Sequence, residues 1–222
     1  MHYDFIEIGT YRGDTLADNA KRTVRGLMIE PMVEYLDQLQ LEDLPFVTKV
    51  PVAIVDKPTD TDLIIFFITT EDVQRHSLHP WMAQCNSIGK FHPWHVAYHN
   101  NPNGSGPERN LTKLGIVRAR TVTCMTWKQL MKKYDVTSVD FVKIDAEGYD
   151  VRIVNSILDY CAQDNIKLPP KIQFETNSTT EQIHQDLLRG RLASLGYNNV
   201  IDGQNTISTL YSSDPIHSDI PR

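Results

Sequence analysis

The sequence has few cysteines, no long apolar run and no excess of positive charge. Its cysteines are widely spaced and odd in number: Cys85, Cys124 and Cys161. They therefore predict neither a disulfide framework nor a zinc site, and they suit a reducing compartment. No run approaches the roughly 20 apolar residues of a membrane span, and the start of the chain lacks the basic and apolar regions of a signal peptide. We expect a soluble, cytoplasmic protein.

The charge balance is acidic, with 22 Lys and Arg against 28 Asp and Glu and a formal net charge of −6. Such a chain does not attract phosphate backbones by bulk electrostatics, so a general nucleic-acid binder is disfavoured. The 222 residues, 41% of them apolar, suffice for a full core. We expect one domain over residues 1–222, and the short lead before the first strand is consistent with excision from a longer protein.

Short apolar runs alternate with stretches of helical spacing along most of the chain. Strands are predicted over residues 3–8, 26–29, 46–55, 63–68, 139–144 and 171–174. Helices are predicted from the first turn to about residue 25, from 33 to 39, and over 127–134, 151–162 and 181–195. This order predicts an α/β fold with a doubly wound, Rossmann-like and mostly parallel sheet. The turn signal at residues 202–203 adds a C-terminal antiparallel hairpin at the sheet edge.

Residues 70–115 lack this periodicity and contain five of the eight histidines and two of the three tryptophans. A segment of this length inside a compact domain is usually functional or mobile. We expect it to be a variable substrate-binding or lid segment. Each histidine taken singly is expected to be an exposed loop residue.

Acidic side chains lie at the ends of the predicted strands: Glu7, Glu30, Asp56, Asp145 and Glu175. Ligands of doubly wound sheets bind at that edge. Gly9 and Gly13 predict a turn whose backbone N–H groups and following helix can approach an anion. The missing middle glycine counts against NAD. Glu30 suits either a ribose ligand or an acid that stabilises the start of the next helix.

Residues 139–150, VDFVKIDAEGYD, resemble the K-I-D-x-E-G segment of the FkbM-type methyltransferases. That family uses S-adenosylmethionine on the class I methyltransferase fold. Residues 5–14, FIEIGTYRGD, are similar to its first motif, MIEP at 28–31 to its second and VAIVD at 52–56 to its third. Glu7 stands where the family more usually has Asp. The resemblance covers most of the chain outside residues 70–115.

The resemblance implies a cofactor site for S-adenosylmethionine along these motifs. The turn after the first strand would hold the methionine part, Glu30 the ribose and Asp56 the region near adenine, while Asp145 would face the reaction centre. The implied cofactor-binding residues are Glu7, Gly9, Thr10, Arg12, Gly13, Asp14, Glu30, Asp56 and Asp145. Acids beside a cleft also suit a positively charged sulfonium.

Methyl transfer to a hydroxyl needs an aligned acceptor oxygen and a group that removes its proton. The candidate catalytic residues are Asp145, His95, His92 and Lys143. For Lys143 we favour an ion pair with Asp145 or Glu147 over a catalytic role, because a buried lysine needs a counter-charge. The candidate acceptor-binding residues are Trp81, Trp94, His99 and Glu175. The two tryptophans suit the faces of a sugar ring, or equally anchors of the core or a lid.

Oxygen ligands for a metal ion are predicted at neighbouring strand ends. Asp145, Glu175 and Asn177 would together suit Mg²⁺ or another divalent cation, because hard cations prefer oxygen. A metal-bound hydroxyl is then the alternative to a histidine base.

FkbM-type enzymes mostly methylate hydroxyls, often on sugars, so the resemblance implies an O-methyltransferase acting on a sugar or glycan. The chain has no Asp/Asn-Pro-Pro-Tyr/Phe string, which disfavours methylation of a planar nitrogen. Two alternatives stay open: methylation of a small natural product, and a non-catalytic domain that binds a partner. A sugar acceptor and fusion to glycan-assembly domains are the expected partners.

Overall fold

The computed structural model describes residues 1–13, 15–16, 19–21, 23–57, 63–99 and 107–211. Its main sheet has seven strands, and they are β1 (His2–Ile8), β2 (Gly26–Ile29), β3 (Val47–Val50), β9 (Ser138–Ile144), β10 (Lys171–Glu175), β11 (Tyr197–Asp202) and β12 (Asn205–Leu210). Their spatial order is β11-β12-β10-β9-β1-β2-β3. Neighbouring strands from β3 to β10 run parallel. The β11–β12 hairpin adds antiparallel to β10, which confirms the predicted fold class and hairpin.

The strand order reverses at β1. From β1 the chain builds outward to β2 and β3 on one side, and it later returns to place β9 on the other side. Parallel α/β sheets bind ligands at such a reversal, outside the carboxyl ends of the strands. The fold therefore brings the ends of β1, β2 and β9 together at one edge.

Three helices hold the largest group of buried side chains against this sheet: α4 (Trp127–Lys133), α5 (Asp150–Gln163) and α6 (Gln182–Ser194). All three agree with the sequence prediction. Helix α4 begins at Thr126, whose hydroxyl accepts the Gln129 N–H while the Gln129 side chain accepts the Thr126 N–H. This reciprocal cap satisfies two donors that a helix start leaves free. Helix α1 (Val33–Leu36) is shorter than predicted.

The helix predicted between Gly13 and residue 25 is wrong for the residues described there. Residue 19 has a 3₁₀ conformation, and residues 15–16, 20–21 and 23–25 form turns and irregular backbone. Of the described residues in this stretch, only Leu16 and Val24 pack against a hydrophobic cluster. Because helices in proteins depend on burying an apolar face, so little packing does not support one.

The strand predicted over 46–55 divides at Pro51, which cannot donate to a β-ladder. β3 stays in the main sheet, whereas β4 (Ala53–Val55) pairs in parallel with β8 (Cys124–Thr126). The next strand, β5 (Leu63–Phe67), also leaves the main sheet. It pairs antiparallel with β6 (Ser87–Ile88) and β7 (Arg118–Val122) in a separate sheet.

The described residues of segment 70–115 form a packed unit. They contain α2 (Thr70–Arg75), a 3₁₀ helix (Pro80–Ala83) and α3 (Pro93–Val96). Nine buried residues give the segment and its flanks a cluster of their own, here called the second core: Ile68, Val73, Leu78, Met82, Ala83, Cys85, Tyr98, Leu111 and Ile116. Elements of four to six residues are too short to produce a recognisable period. None of the three cysteines forms a disulfide among the described residues. No helix among the described residues is long and apolar enough to cross a membrane.

Candidate active site

A cleft lies where the strand order reverses. The ends of β1, β2 and β9 supply Gly9, Glu30, Asp145 and Glu147 to its lining. Apolar walls face these polar groups and come from two different sheets: Val52, Ala53, Ile54, Ile65 and Ile88. The cleft thus joins an acidic rim to an apolar slot of the kind that small ligands occupy.

Gly9 is required by the close approach of two strand ends. Its φ is +78°, and a Cβ there would lie 1.8 Å from the carbonyl oxygen of Asp145. The backbone N–H groups of Gly9 and Thr10 both donate to the Ile29 carbonyl, at 2.9 and 3.2 Å. The Gly13 N–H donates to the Thr10 carbonyl at 2.7 Å. These three N–H groups therefore already donate to carbonyls of the protein. The prediction that they bind an anion is wrong for Gly9, Thr10 and Gly13.

Tyr11 of this turn also lines the cleft, whereas Thr10, Arg12 and Gly13 do not. Thr10 is buried with its hydroxyl 3.9 Å from the Met28 sulfur, and Gly13 is buried as well. Arg12 lies over the Tyr11 ring, and its guanidinium donates to the Thr70 hydroxyl at 3.3 Å. Asp14 lies outside the described residues. Of the turn residues proposed to hold the cofactor, Gly9 alone among those described reaches the cleft.

Lys143 forms its ion pair with Glu7. The predicted pairing with Asp145 or Glu147 is therefore wrong. The two residues are register partners on β1 and β9, and Nζ lies 3.0 Å from Oε1 of Glu7. Nζ also donates to the Thr15 hydroxyl at 2.8 Å, and that hydroxyl donates to Glu7. Adjacent residues of a strand point to opposite faces, so register partners on neighbouring strands meet on one face. Glu7 is fully buried in this network and does not line the cleft.

Glu30 presents a buried carboxylate to the cleft. Its Oε2 accepts the Tyr11 N–H at 3.1 Å, and its Oε1 accepts the Met32 N–H at 3.0 Å. Each oxygen keeps a further acceptor site, since an ionised carboxylate offers about four. Burial raises the pKa of Glu30 to about 7, although these two hydrogen bonds act in the opposite direction. The group can accept hydrogen bonds from a pair of hydroxyls such as those of ribose.

Asp56 follows β4 and lies beside the segment that follows β9. Its Oδ1 accepts a hydrogen bond from the Tyr149 hydroxyl at 3.0 Å. Asp56 does not line the cleft, whereas the apolar residues Ala53 and Ile54 of the same run do.

Three carboxylates meet at the ends of β9 and β10, and we call Asp145, Glu147 and Glu175 the acid cluster. One oxygen of each lies within 4.8 Å of the others. Burial raises the pKa of Asp145, and it raises those of Glu147 and Glu175 to about 9, with further increases from the neighbouring acids. Three like charges cannot all ionise without a compensating cation or proton.

Asn177, the third residue of the predicted metal-ligand set, contacts the acid cluster through Glu175. A hydrogen bond from its side chain to Glu175 lowers the pKa of that carboxyl. Its side-chain oxygen accepts the Thr179 N–H at 2.8 Å. Glu147 belongs to the acid cluster and was not in the predicted set. Its position follows from a sharp bend in which Glu147 and Gly148 both have positive φ, at 49° and 89°.

His92 and His95 are buried, with 2% and 0% of their surfaces exposed, so the expectation of exposed loop residues is wrong for both. The Nδ1 of His92 accepts the Trp94 N–H at 3.2 Å, and the Nδ1 of His95 accepts the His92 N–H at 3.3 Å. These bonds cap α3 and assign the ring proton of each to Nε2. Burial lowers both pKa values to about 4. The Nε2 of His92 lies 3.1 Å from Oε2 of Glu147.

Three of the proposed acceptor-binding residues, Trp81, Trp94 and His99, lie in or beside the second core. Trp81 and Trp94 contact each other edge to face, with ring centroids 5.3 Å apart, and both pack against that core. The Nε2 of His99 lies 3.9 Å from Oε2 of Glu108. None of these three lines the cleft, and Glu175 reaches its neighbourhood through the acid cluster.

Sequence reasoning missed Gln84, Asn86 and Glu147 as site residues. Gln84 and Asn86 line the cleft because the β5–β6–β7 sheet folds over it. That packing has no period or motif in the sequence. Glu147 had a signal, since it belongs to the KIDAEG run, but its contact with His92 depends on a distant segment.

Residues 7–198 match the sequence model of the methyltransferase FkbM domain. The chain belongs to the FkbM methyltransferase family. No curated protein and no solved structure is significantly similar to it. The matched span contains the whole cleft and the acid cluster. A methyltransferase of this family implies S-adenosylmethionine as cofactor.

The cleft of this FkbM chain fits the chemistry of that cofactor. Glu30 has free acceptor positions for ribose hydroxyls, and the apolar walls suit a flat base. The acid cluster beside the cleft favours a cationic ligand, because three carboxyl groups this close cannot all ionise without a compensating charge. The N–H groups of Gly9, Thr10 and Gly13 already donate to backbone carbonyls. Gly9 therefore serves the cleft by letting its backbone lie close to the ligand and not by donating a hydrogen bond.

Proposed function

We propose that this FkbM chain is an O-methyltransferase that transfers the methyl group of S-adenosylmethionine to a hydroxyl of a sugar or glycan. The observation that carries the proposal is the position of Glu30 and the acid cluster on the same cleft, where the strand order reverses. When bound, the cofactor supplies a methyl group attached to a positively charged sulfur.

Different residues of the cleft bind different parts of the cofactor. Glu30 accepts hydrogen bonds from the ribose hydroxyls, since both of its oxygens keep free acceptor sites. The apolar walls exclude water from the base, with Ile54 and Ile65 approaching from different sheets. Asp145 stands at the end of β9 between this slot and the rest of the acid cluster. Its charge favours the cationic end of the cofactor at that point.

The acid cluster also provides the acceptor for the hydroxyl proton. His92 and His95 are poor bases here, because each Nδ1 already accepts a backbone N–H and each Nε2 carries the proton. Lys143 is held by Glu7. Glu147 lines the cleft, and in its ionised form it accepts the proton; burial raises its pKa to about 9, and a cationic ligand nearby favours the ionised form. The Nε2 of His92 lies 3.1 Å from Oε2 of Glu147.

The acceptor is assigned to a sugar on the polar and aromatic character of segment 70–115. Gln84 and Asn86 line the cleft opposite the acids and offer amide donors and acceptors to hydroxyls. Trp81 and Trp94 pack on the second core a few residues away, where they can hold the segment that receives a ring. Alignment of the acceptor oxygen by such contacts supplies much of the acceleration in a displacement reaction.

A transfer assay tests the proposal. The purified chain is incubated with S-adenosylmethionine labelled in its methyl group and a panel of mono- and oligosaccharides, with aglycones and polyketides as a parallel panel. We expect label in a saccharide and a mass gain of one methyl group on a hydroxyl. Transfer only to aglycones would favour a natural-product acceptor. The absence of any cofactor binding by calorimetry would instead favour a non-catalytic domain.

A further inference from the structure

The acid cluster brings three carboxyl groups together, and no lysine or arginine among the described residues forms an ion pair with it. Asp145, Glu147 and Glu175 bring one oxygen each within 4.8 Å of the others. Lys143, near the end of β9 and two residues before Asp145, is already paired, since it contacts Glu7 at 3.0 Å. Oε2 of Glu175 is a buried acceptor that has no hydrogen-bond donor among the described residues.

His92 gives a second and independent indication of a ligand at this place. Its side chain is 98% buried, and its Nε2 makes no hydrogen bond of acceptable geometry among the described residues, although it lies 3.1 Å from Oε2 of Glu147. A buried polar atom without a partner is rare in native proteins. The ring is thus directed toward the acid cluster. It lies beside Glu147, in the place that outer groups take next to carboxylates that bind metals.

The tautomer of His92 decides which atoms can bind a cation. Cys85, His92 and Glu147 also bring ligand atoms within 4.8 Å of one another, a set that would suit a softer metal. However, Nδ1 of His92 accepts the Trp94 N–H, so Nε2 carries the proton and has no lone pair to offer. The mixed set therefore lacks its imidazole ligand. The oxygen-only set of the acid cluster remains.

We propose that Asp145, Glu147 and Glu175 bind one hard divalent cation of the Mg²⁺ and Mn²⁺ class. Such ions take oxygen ligands and keep several positions for water or substrate oxygens. Because Asp145 and Glu147 line the cleft, the free positions of the ion open toward the acceptor. The site goes beyond the proposed function, since the binding of an ion does not depend on which group is methylated.

Binding of Mn²⁺ tests the site directly. The full chain is stripped with EDTA, exchanged into metal-free buffer and titrated with Mn²⁺ while free Mn²⁺ is followed by electron paramagnetic resonance. We expect one bound ion per chain, displaced by excess Mg²⁺. Glu175→Gln should weaken binding at least about tenfold, because it removes a charged ligand. Glu147→Gln provides a second variant, and the melting temperature of each is measured to confirm folding.

Asp140→Asn is the matched control. Asp140 lies near the start of β9 in another acidic group, with His2 and Asp4, at the opposite ends of the strands. It should leave Mn²⁺ binding unchanged. The proposal is overturned by the absence of stoichiometric binding, or by a loss that follows Asp140→Asn and spares Glu175→Gln. A preference for Zn²⁺ that disappears with Cys85→Ser would likewise overturn it in favour of the mixed set. Methyl transfer without Mn²⁺ binding would refute this site and leave the proposed function standing.

Discussion

Glu30 is a buried carboxylate that lines the cleft, and we propose that it binds the ribose of the cofactor. Burial raises its pKa to about 7, so near neutral pH a large fraction of the free chain carries a proton on this group. Below that pH the group is neutral, and above it the group is a charged acceptor. Hydrogen bonds to a charged acceptor are about twice as strong as neutral ones.

We therefore expect the cofactor to bind more tightly as the pH rises through 7. Affinity for S-adenosylhomocysteine, measured by calorimetry, should fall by up to about tenfold from pH 8 to pH 6, in line with a single titrating group of this pKa. Glu30→Gln should weaken binding at pH 8 by about 1.5–3 kcal/mol and flatten the pH profile. Parallel profiles for the two proteins would contradict the role of Glu30.

Gly9→Ala tests the close approach between the ends of β1 and β9. The added Cβ would meet the Asp145 carbonyl oxygen at 1.8 Å, and φ at this position is +78°. Both strand ends would have to move, so we expect a loss of at least about 2 kcal/mol in stability by urea unfolding, together with a loss of cofactor binding.

Gly203→Ala separates the two contributions in this experiment. Gly203 has φ +58° but no described atom lies within 4 Å of an added Cβ. It should cost only the backbone penalty of about 1 kcal/mol. If Gly9→Ala were no more damaging than Gly203→Ala, the strand ends would not be in the tight contact described.

At the residue scale the sequence predicted which acids come together better than how they are held. Strand-end acids were placed together because parallel strands finish at one edge, and Asp145 and Glu175 do meet there. The partner of Lys143 was wrong, because register between β1 and β9 cannot be read from one strand. The burial of His92 was also unforeseen, since it depends on a reciprocal cap and a contact with Glu147.

At the scale of elements, the pair Glu7–Lys143 joins β1 to β9 inside the protein. Lys143→Met should destabilise the chain by about 3–5 kcal/mol, because it leaves the fully buried Glu7 carboxylate without its counter-charge. Thermal and urea unfolding measure the effect.

The double variant Glu7→Gln with Lys143→Met should recover most of that loss. Replacing both charges removes the uncompensated ion, and buried pairs are often replaceable by neutral groups at small cost. Lys128→Met serves as the comparison, since its ion pair with Asp164 is partly exposed and should contribute no more than about 1 kcal/mol. Additive losses in the double variant would show that the pair does not act as a unit.

Elements with strong local signals were predicted well from the sequence. α5 has a sustained apolar face, and the β11–β12 hairpin has a turn signal between two strands. The helix expected after Gly13 failed because helical spacing without an apolar face to bury does not stabilise a helix. β4 and β5 were correct as strands, but their sheets depend on pairing with β8 and β7, which lie more than 50 residues further along the chain and have no hairpin signal.

At the scale of the whole molecule, the chain has a second core outside the main sheet. Leu111 is fully buried in it. Leu111→Ala should cost about 2–5 kcal/mol through lost contacts and a cavity. We expect hydrogen exchange to increase across the described parts of residues 68–117, while β1 and β9 keep their protection, because local opening follows separately packed units.

Leu114→Ala is the control for this prediction. Leu114 belongs to the same segment but is 57% exposed, so the change should stay within about 0.5 kcal/mol. Faster exchange in β9 as well as in the segment would show that the two cores open together. Such a result would make the second core part of a single cooperative unit.

The contact between His92 and Glu147 crosses from one core to the other. The ring is fixed by α3 in the second core, whereas the carboxylate follows β9 of the main sheet. Replacement of segment 70–115 by a foreign segment must therefore preserve a buried polar side chain at that seam. A replacement chosen only for its fit to a new ligand would leave Glu147 exposed to whatever side chain the foreign segment places there.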